Sequence, residues 1–251
     1  MRILVTGSDG MIGKRLVKHL KSKYDVIEFG NDKDIRNWDD WISIYDVETP
    51  INFIIHLAAL VSVHTSLKEP ELFNDVNVNG TRNMLKFSEL DGANILYASS
   101  SNVHEWWVNP YAATKKINEI QCENYPAIGM RFYNIWPGRD DMLFMKLKNN
   151  RIKYINKNHS RDFIHVDDIV SAIQVLISNF ATAILSNRVY DIGTGHSTPV
   201  EQVANVFDFN GEWRDINPVG ECVHTVANID ALLNLGWTPK WNILDHKNST
   251  G

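Results

Sequence analysis

Short apolar runs alternate with helical patterns along most of the chain. Arg2 to Thr6 reads as a buried strand, and Ile12, Leu16 and Leu20 then recur every four residues on one face of a helix ending near Lys23. Tyr24 to Phe29 is strand-like, and Ile51 to Ala58 more strongly so. Val78 to Leu90 has a helical pattern, Asn94 to Ala98 a strand pattern, Tyr111 to Glu123 a helical one, and Ala127 to Tyr133 that of another strand. Asp167-Asp168 is expected to cap a helix with Ile169, Ile173 and Ile177 on one face, and Arg188 to Ile192 supplies a last short strand. Strands separated by helices imply crossovers, hence an α/β fold with a doubly wound parallel sheet and helices on both faces. The patterning weakens between Pro137 and Asn158 and again after His196. Residues 1–135 with 166–195 are therefore expected to form the main domain. Residues 136–165 with 196–251 would build a small discontinuous lobe.

Composition narrows the class. A chain of 251 residues, 44% hydrophobic and 22% charged, can bury a substantial core, and its make-up excludes disorder and collagen-like sequence. With 25 basic against 30 acidic side chains the net charge is −5, which argues against binding a nucleic-acid backbone. The best apolar stretch, Phe53 to Val63, is broken by His56 and Ser62 and falls short of the ~18 residues of a membrane span. The amino terminus runs straight into glycines without the apolar segment of a signal peptide. Cys122 and Cys222 form no framework and lack metal-type spacing, so a reducing cytoplasm is the expected setting. The Asn-x-Ser/Thr matches at Asn79, Asn158 and Asn248 are then read as chance. His159 and His165 lie on an irregular stretch and no His-Glu-x-x-His occurs, so no metal is expected.

Directly after the first strand comes Thr6-Gly7-Ser8-Asp9-Gly10-Met11-Ile12-Gly13. In a G-x-x-G-x-x-G run between a strand and an amphipathic helix, Gly7 allows a sharp turn and Gly10 lets backbone approach a pyrophosphate. Gly13 lets helix and strand pack closely. Free N–H groups near Met11 and Ile12 would face the anion. An acid at the end of the second strand ordinarily binds the ribose hydroxyls of NAD. Gly30 stands there instead, Asp32 could reach back, and Lys33 is the only cation of Glu28 to Lys33. NAD is favoured, with NADP not excluded.

Tyr111-Ala112-Ala113-Thr114-Lys115 places a phenol and an ammonium four apart on one helical face. The spacing is weak by itself, since chance supplies such a pair in roughly every second chain of this make-up. Its position says more: it follows a strand ending in Ser99-Ser100-Ser101 and starts just after Pro110, which suits a helix N-terminus. An ammonium beside a tyrosine favours the phenolate, and a serine at the sheet's carboxyl edge can hold a substrate oxygen while that phenolate takes its proton.

These features together resemble the extended short-chain dehydrogenase/reductase family, in its nucleotide-sugar epimerase/dehydratase branch. The resemblance extends to Asp34-Ile35-Arg36, His56-Leu57-Ala58-Ala59, Asn77-Val78-Asn79-Gly80-Thr81 and Arg131-Phe132-Tyr133-Asn134. It continues through Arg161-Asp162-Phe163-Ile164-His165-Val166-Asp167-Asp168, Tyr190 to Gly195 and Leu235-Gly236-Trp237-Thr238-Pro239. It implies a Rossmann-like fold with Tyr111 as catalytic acid/base and Lys115 as its modulator and ribose ligand. Ser100 would be the substrate-binding hydroxyl, with Ser101 as the alternative. It further implies that Asp34 and Ile35 meet adenine, that Leu57, Ala58, Ala59, Ser99 and Tyr133 line the cofactor, and that Asn134 and Arg161 face a nucleotide-diphosphate sugar. A homodimer is expected on the same ground.

Several departures stand out. Dehydratases of this branch carry Asp-Glu after the hydroxyl residue; here the pair is Ser101-Asn102, which argues against dehydration. His104-Glu105 replaces Tyr-Gly, the loop before Tyr111 is short, and Trp106-Trp107 on it could stack on a sugar or base. The usual nucleotide-binding arginine is missing near Gly220-Glu221, where Pro218 and Val219 stand. The leading expectation is an NAD-dependent nucleotide-sugar epimerase acting through a transient keto-sugar. A 4-keto-sugar reductase using NAD(P)H and a non-catalytic dinucleotide sensor are the alternatives.

Overall fold

The structure is a computed structural model that describes residues 1–216, 220 and 222–248; Pro218, Val219, Glu221 and the Thr250 of the Asn248 match lie outside the described residues. Its centre is a six-stranded sheet of β1 (Arg2–Thr6), β2 (Asp25–Phe29), β3 (Phe53–His56), β4 (Asn94–Ser100), β5 (Ala127–Phe132) and β6 (Val189–Ile192). The order is β6-β5-β4-β3-β1-β2 and every pairing is parallel, as the alternating pattern required. Both faces are buried, because successive side chains point to opposite sides of a strand. Ile3, Val5, Phe53, Ile55, Leu96, Ile128 and Met130 enter one core with α1 (Met11–Leu20) and α4 (Val166–Ser178). Leu4, Ile54, Ile95 and Tyr97 enter the other, with Trp41 and with Met84, Leu85 and Phe87 of α2 (Gly80–Asp91).

The chain passes from β1 to β2 on one side and returns to β3 on the other, so the carboxyl ends of β1 and β3 form the crevice where open α/β sheets bind ligands. A third apolar cluster lies apart from the sheet. It joins Trp136, Phe144, Leu147, Ile155 and Phe163 to Val200, Val203, Ala204 and Ile243. The tail then returns, since Ala227, Leu232 and Trp237 pack into the first sheet core.

Three local expectations shift. The strand expected over Ile51 to Ala58 is only Phe53–His56, although Leu57 N–H still donates to Thr6 O at 3.2 Å. The helix expected from Val78 begins at Gly80, after a wide turn over Asp75–Asn79. The cap of α4 is neither Asp167 nor Asp168: His165 precedes the helix and its Nδ1 accepts the Asp167 N–H at 3.2 Å. Asp168 instead accepts the N–H groups of Lys240 and Trp241 at 3.0 Å, tying the tail to the sheet. His165 is held structurally, stacked on Trp241 with ring centroids 4.4 Å apart. Among the described residues no single helix is long and apolar enough to cross a membrane.

Candidate active site

The glycine run forms the predicted turn. Gly7 has φ +66° and a Cβ there would lie 2.8 Å from Ala58 N, while a Cβ on Gly13 would lie 2.1 Å from Gly7 O. Neither space tolerates a side chain, so backbone closes on backbone at the switch point. Gly10 precedes α1 with no side-chain cap, which leaves the first N–H groups of a ten-residue helix facing the crevice. This is a cradle for a pyrophosphate, and its residues fit a dinucleotide.

The second component rises from β4 and the helix after it. That strand runs two residues further than its pattern suggested, with Ser99 opposite Arg131 and Ser100 opposite Phe132, so both serines sit at the carboxyl edge. Helix α3 (Pro110–Cys122) starts with Pro110 in its first turn, and the Asn109 side chain accepts the Ala112 N–H at 2.8 Å. Tyr111 is therefore fixed in the first turn, its ring edge-on to Phe73 at 6.3 Å, and Lys115 follows one turn later.

Tyr111 and Ser100 line the same cavity. Burial pushes the Tyr111 phenol above its ordinary pKa, and the Ser100 hydrogen bond and the charge of Arg139 pull it part of the way back. Lys115, also buried, donates from Nζ to Ala98 O at 2.9 Å, and burial brings its pKa down to about 8. The expected route, Lys115 stabilising the phenolate, is thus not the dominant influence on Tyr111 in this structure. Buried His56 is brought down to about 3 by burial and by the Lys115 charge, so it is neutral. Its Nδ1 lies 2.8 Å from Thr6 Oγ1.

One cavity of about 800 Å³ joins both components. Gly7, Gly10, Met11, Ile12, Gly13, Leu57 and Ala59 line it from the cradle, together with Ser99, Ser100, Tyr111, Lys115 and Tyr133 and with Asn134 and Arg161. Ser101 lines it too. Three expected residues are placed elsewhere. Ala58 supports the turn from behind, its N–H donating to Thr6 Oγ1 at 3.2 Å. Asp34 lies outside the cavity and pairs with Arg36 at 2.6 Å. Ile35 also lies outside: its side chain packs into the core against Gly80, while its carbonyl accepts from Trp41 Nε1 at 2.8 Å. Trp106 and Trp107 are exposed, edge-on to each other at 6.1 Å, and not part of the cavity lining.

Two contributors went unnoticed in the sequence. Glu119 lies one turn beyond Lys115 and accepts from Ser99 Oγ at 2.8 Å and, in a bidentate pair, from Arg131 Nε and Nη2 at 2.8 and 2.9 Å. Its spacing of four from Lys115 was the available signal. Arg139 lines the cavity and makes a bidentate pair with Asp141 at 3.0 Å, and no local pattern marks it. Asp162, fully buried, collects the N–H groups of Thr194, Gly195 and Ala227 at 2.7, 2.9 and 3.1 Å, which fixes the segment beside Arg161.

Comparison with known proteins bears on the family and the fold. The model of a family described as NAD dependent epimerase/dehydratase matches residues 3–193. Protein CapI of Staphylococcus aureus is 28% identical over 99% of this chain and 96% of its own. A putative UDP-glucose 4-epimerase of Methanocaldococcus jannaschii is 28% identical over 95% and 93%. Among solved structures, the UDP-glucose 4-epimerase of Thermotoga maritima with UDP-glucose superposes with a TM-score of 0.83 at 21% identity, covering 98% of this chain and 96% of that one.

Proposed function

The chain belongs to the NAD-dependent epimerase/dehydratase family, and from that premise we propose that it is an NAD-dependent epimerase of a nucleotide-diphosphate sugar, acting through a transient keto-sugar. The observation that carries this reading is the convergence of Ser100, Tyr111 and Lys115 in the cavity that continues from the glycine cradle. Relatives at similar identity include nucleotide-sugar epimerases and GDP-sugar dehydrogenases or reductases, so the epimerase/reductase class stands on the family and the choice within it is ours.

The cradle and the α1 N-terminus would hold the pyrophosphate, with Lys115 and Tyr133 toward the nicotinamide end. Bound there, the dinucleotide supplies a hydride acceptor that returns the hydride, so the reaction has no net redox change. Tyr111 Oη takes the proton of a sugar hydroxyl as its carbon is oxidised, and gives it back when the carbonyl is reduced on its other face. Ser100 holds that oxygen through both half-reactions. At pH 7 Lys115 is charged, and it follows Tyr111 by one helical turn in the lining of the same cavity. Arg161, with its planar fork of donors, suits the diphosphate of the sugar nucleotide. Asn134 lines the same cavity. Elimination of water is disfavoured, because Ser101 and Asn102 supply no acid where the hydroxyl residue is followed.

The test is incubation with NAD and a panel of UDP-, dTDP- and GDP-sugars, read by chromatography of epimers and by absorbance of the reduced cofactor. Epimer formation without net change in reduced cofactor supports the proposal. Stoichiometric consumption of NAD(P)H by a 4-keto-sugar identifies a reductase using the same side chains, and dinucleotide binding without chemistry on the panel identifies a sensor.

A further inference from the structure

The second strand ends at Phe29, whose carbonyl accepts the Gly7 N–H at 2.9 Å, so the cradle and the end of β2 are adjacent. The residue after it, Gly30, has no side chain to offer a ribose. The space a side chain would take is filled from the cradle. A Cβ on Gly30 would lie 2.3 Å from Asp9 Oδ2 and 3.1 Å from its Cγ. The same Oδ2 accepts the Asn31 N–H at 2.7 Å, which pins the Asp9 carboxylate over the strand end. Asp32, the alternative open from sequence, is exposed and tied to Lys33 Nζ at 2.5 Å. The other nearby cation, Arg36, is paired with Asp34 and Asp75 at 2.6 and 3.0 Å. Negative charge thus dominates the place where cofactor choice is made, and both nearby cations are engaged.

Resting on the dinucleotide reading above, we propose that Asp9 takes over the ribose-reading role usually given to an acid at the end of β2. Its second carboxylate oxygen accepts from the adenosine ribose hydroxyls, and its charge repels a 2′-phosphate. Gly30 is the complementary half of the device, since any side chain there would displace the carboxylate. The arrangement selects NAD over NADP.

The test is titration calorimetry of nucleotide-free protein with NAD and with NADP separately. Wild type is expected to prefer NAD. Asp9→Asn keeps an oxygen for the Asn31 N–H but loses the charge. It should weaken NAD by about 10- to 100-fold, the range for a hydrogen bond to a charged group, while NADP binding holds or improves. Asp9→Ala combined with Gly30→Asp, which returns a carboxylate from the strand end, should restore the preference for NAD. Thermal melts of each variant report folding independently. An unchanged NAD-to-NADP ratio in Asp9→Asn, or an equal loss for both dinucleotides, overturns the assignment and leaves the dinucleotide reading intact. Wild-type protein that binds neither dinucleotide overturns that reading and this one with it.

Discussion

Glu119→Gln probes the support beneath the catalytic edge. The Glu119 side chain is 5% exposed and holds a bidentate pair with Arg131, which is 22% exposed, together with the Ser99 hydroxyl. The amide keeps the shape and one acceptor but removes the charge, leaving the guanidinium with only the Asp191 carboxylate at 3.9 Å as counterion. Removing one partner of a buried ion pair costs about 3–5 kcal/mol, and the partial exposure of Arg131 argues for a reduced loss of about 2–3 kcal/mol. With a urea slope of about 3 kcal/mol/M for a chain of this size, the unfolding midpoint should fall by roughly 0.7–1 M at pH 7. Acidity supplies an internal control. Burial pushes the Glu119 carboxyl up, but the hydrogen bonds and charge of Arg131, with Ser99 and Lys116, outweigh it and hold the group below its ordinary 4.5. Its contribution is therefore full above that value and lost as the pH falls through the lower folded pKa. The gap between wild type and variant should close in the same range. A midpoint within about 0.2 M of wild type at pH 7, or a gap that does not depend on acid, would refute this account of the pair.

Other perturbations follow from the same geometry. Gly13→Ala forces a methyl to 2.1 Å from Gly7 O, so calorimetry should show dinucleotide affinity falling by at least about tenfold, alongside a lowered melting temperature. Lys115 is brought down to about 8, so in the free protein it loses its proton above that pH; ribose hydroxyls that favour the ammonium would raise it again. NAD binding near pH 8.5 should consequently take up a proton, measured by calorimetry in buffers of different ionisation enthalpy, and Lys115→Met should abolish that uptake. Burial raises the Tyr111 phenol, and the Ser100 hydrogen bond and, after it, the Arg139 charge oppose that rise, so Arg139→Gln should move the rising limb of the kcat/KM profile modestly to higher pH.

What could be foreseen from sequence follows from how local the determinants are. The sheet was legible because two buried faces make continuous apolar runs, and the cradle because its glycines are needed within one turn of β1. Tyr111 and Lys115 were legible as a helical pair after a serine-ended strand. Ile35 was legible only in part, because a segment that resembles an adenine contact also has to plug the core above Gly80, and only packing shows which end of the residue does which. Asp9 was passed over because its significance lies in Gly30, twenty-one positions away and adjacent only when β1 and β2 pair. Arg139 was hidden likewise, in a stretch whose conformation depends on the cluster around Trp136 and Phe144.

On the proposed function, the phenol of Tyr111 moves the proton on which epimerisation depends. That role is tested most directly by Tyr111→Phe, which removes one oxygen from a buried ring and leaves the cradle untouched. NAD affinity by calorimetry should stay within about twofold of wild type. Interconversion of the sugar nucleotide, followed by chromatography at saturating substrate, should fall by about 10²–10⁴-fold. A variant that turns over at close to the wild-type rate would contradict the account.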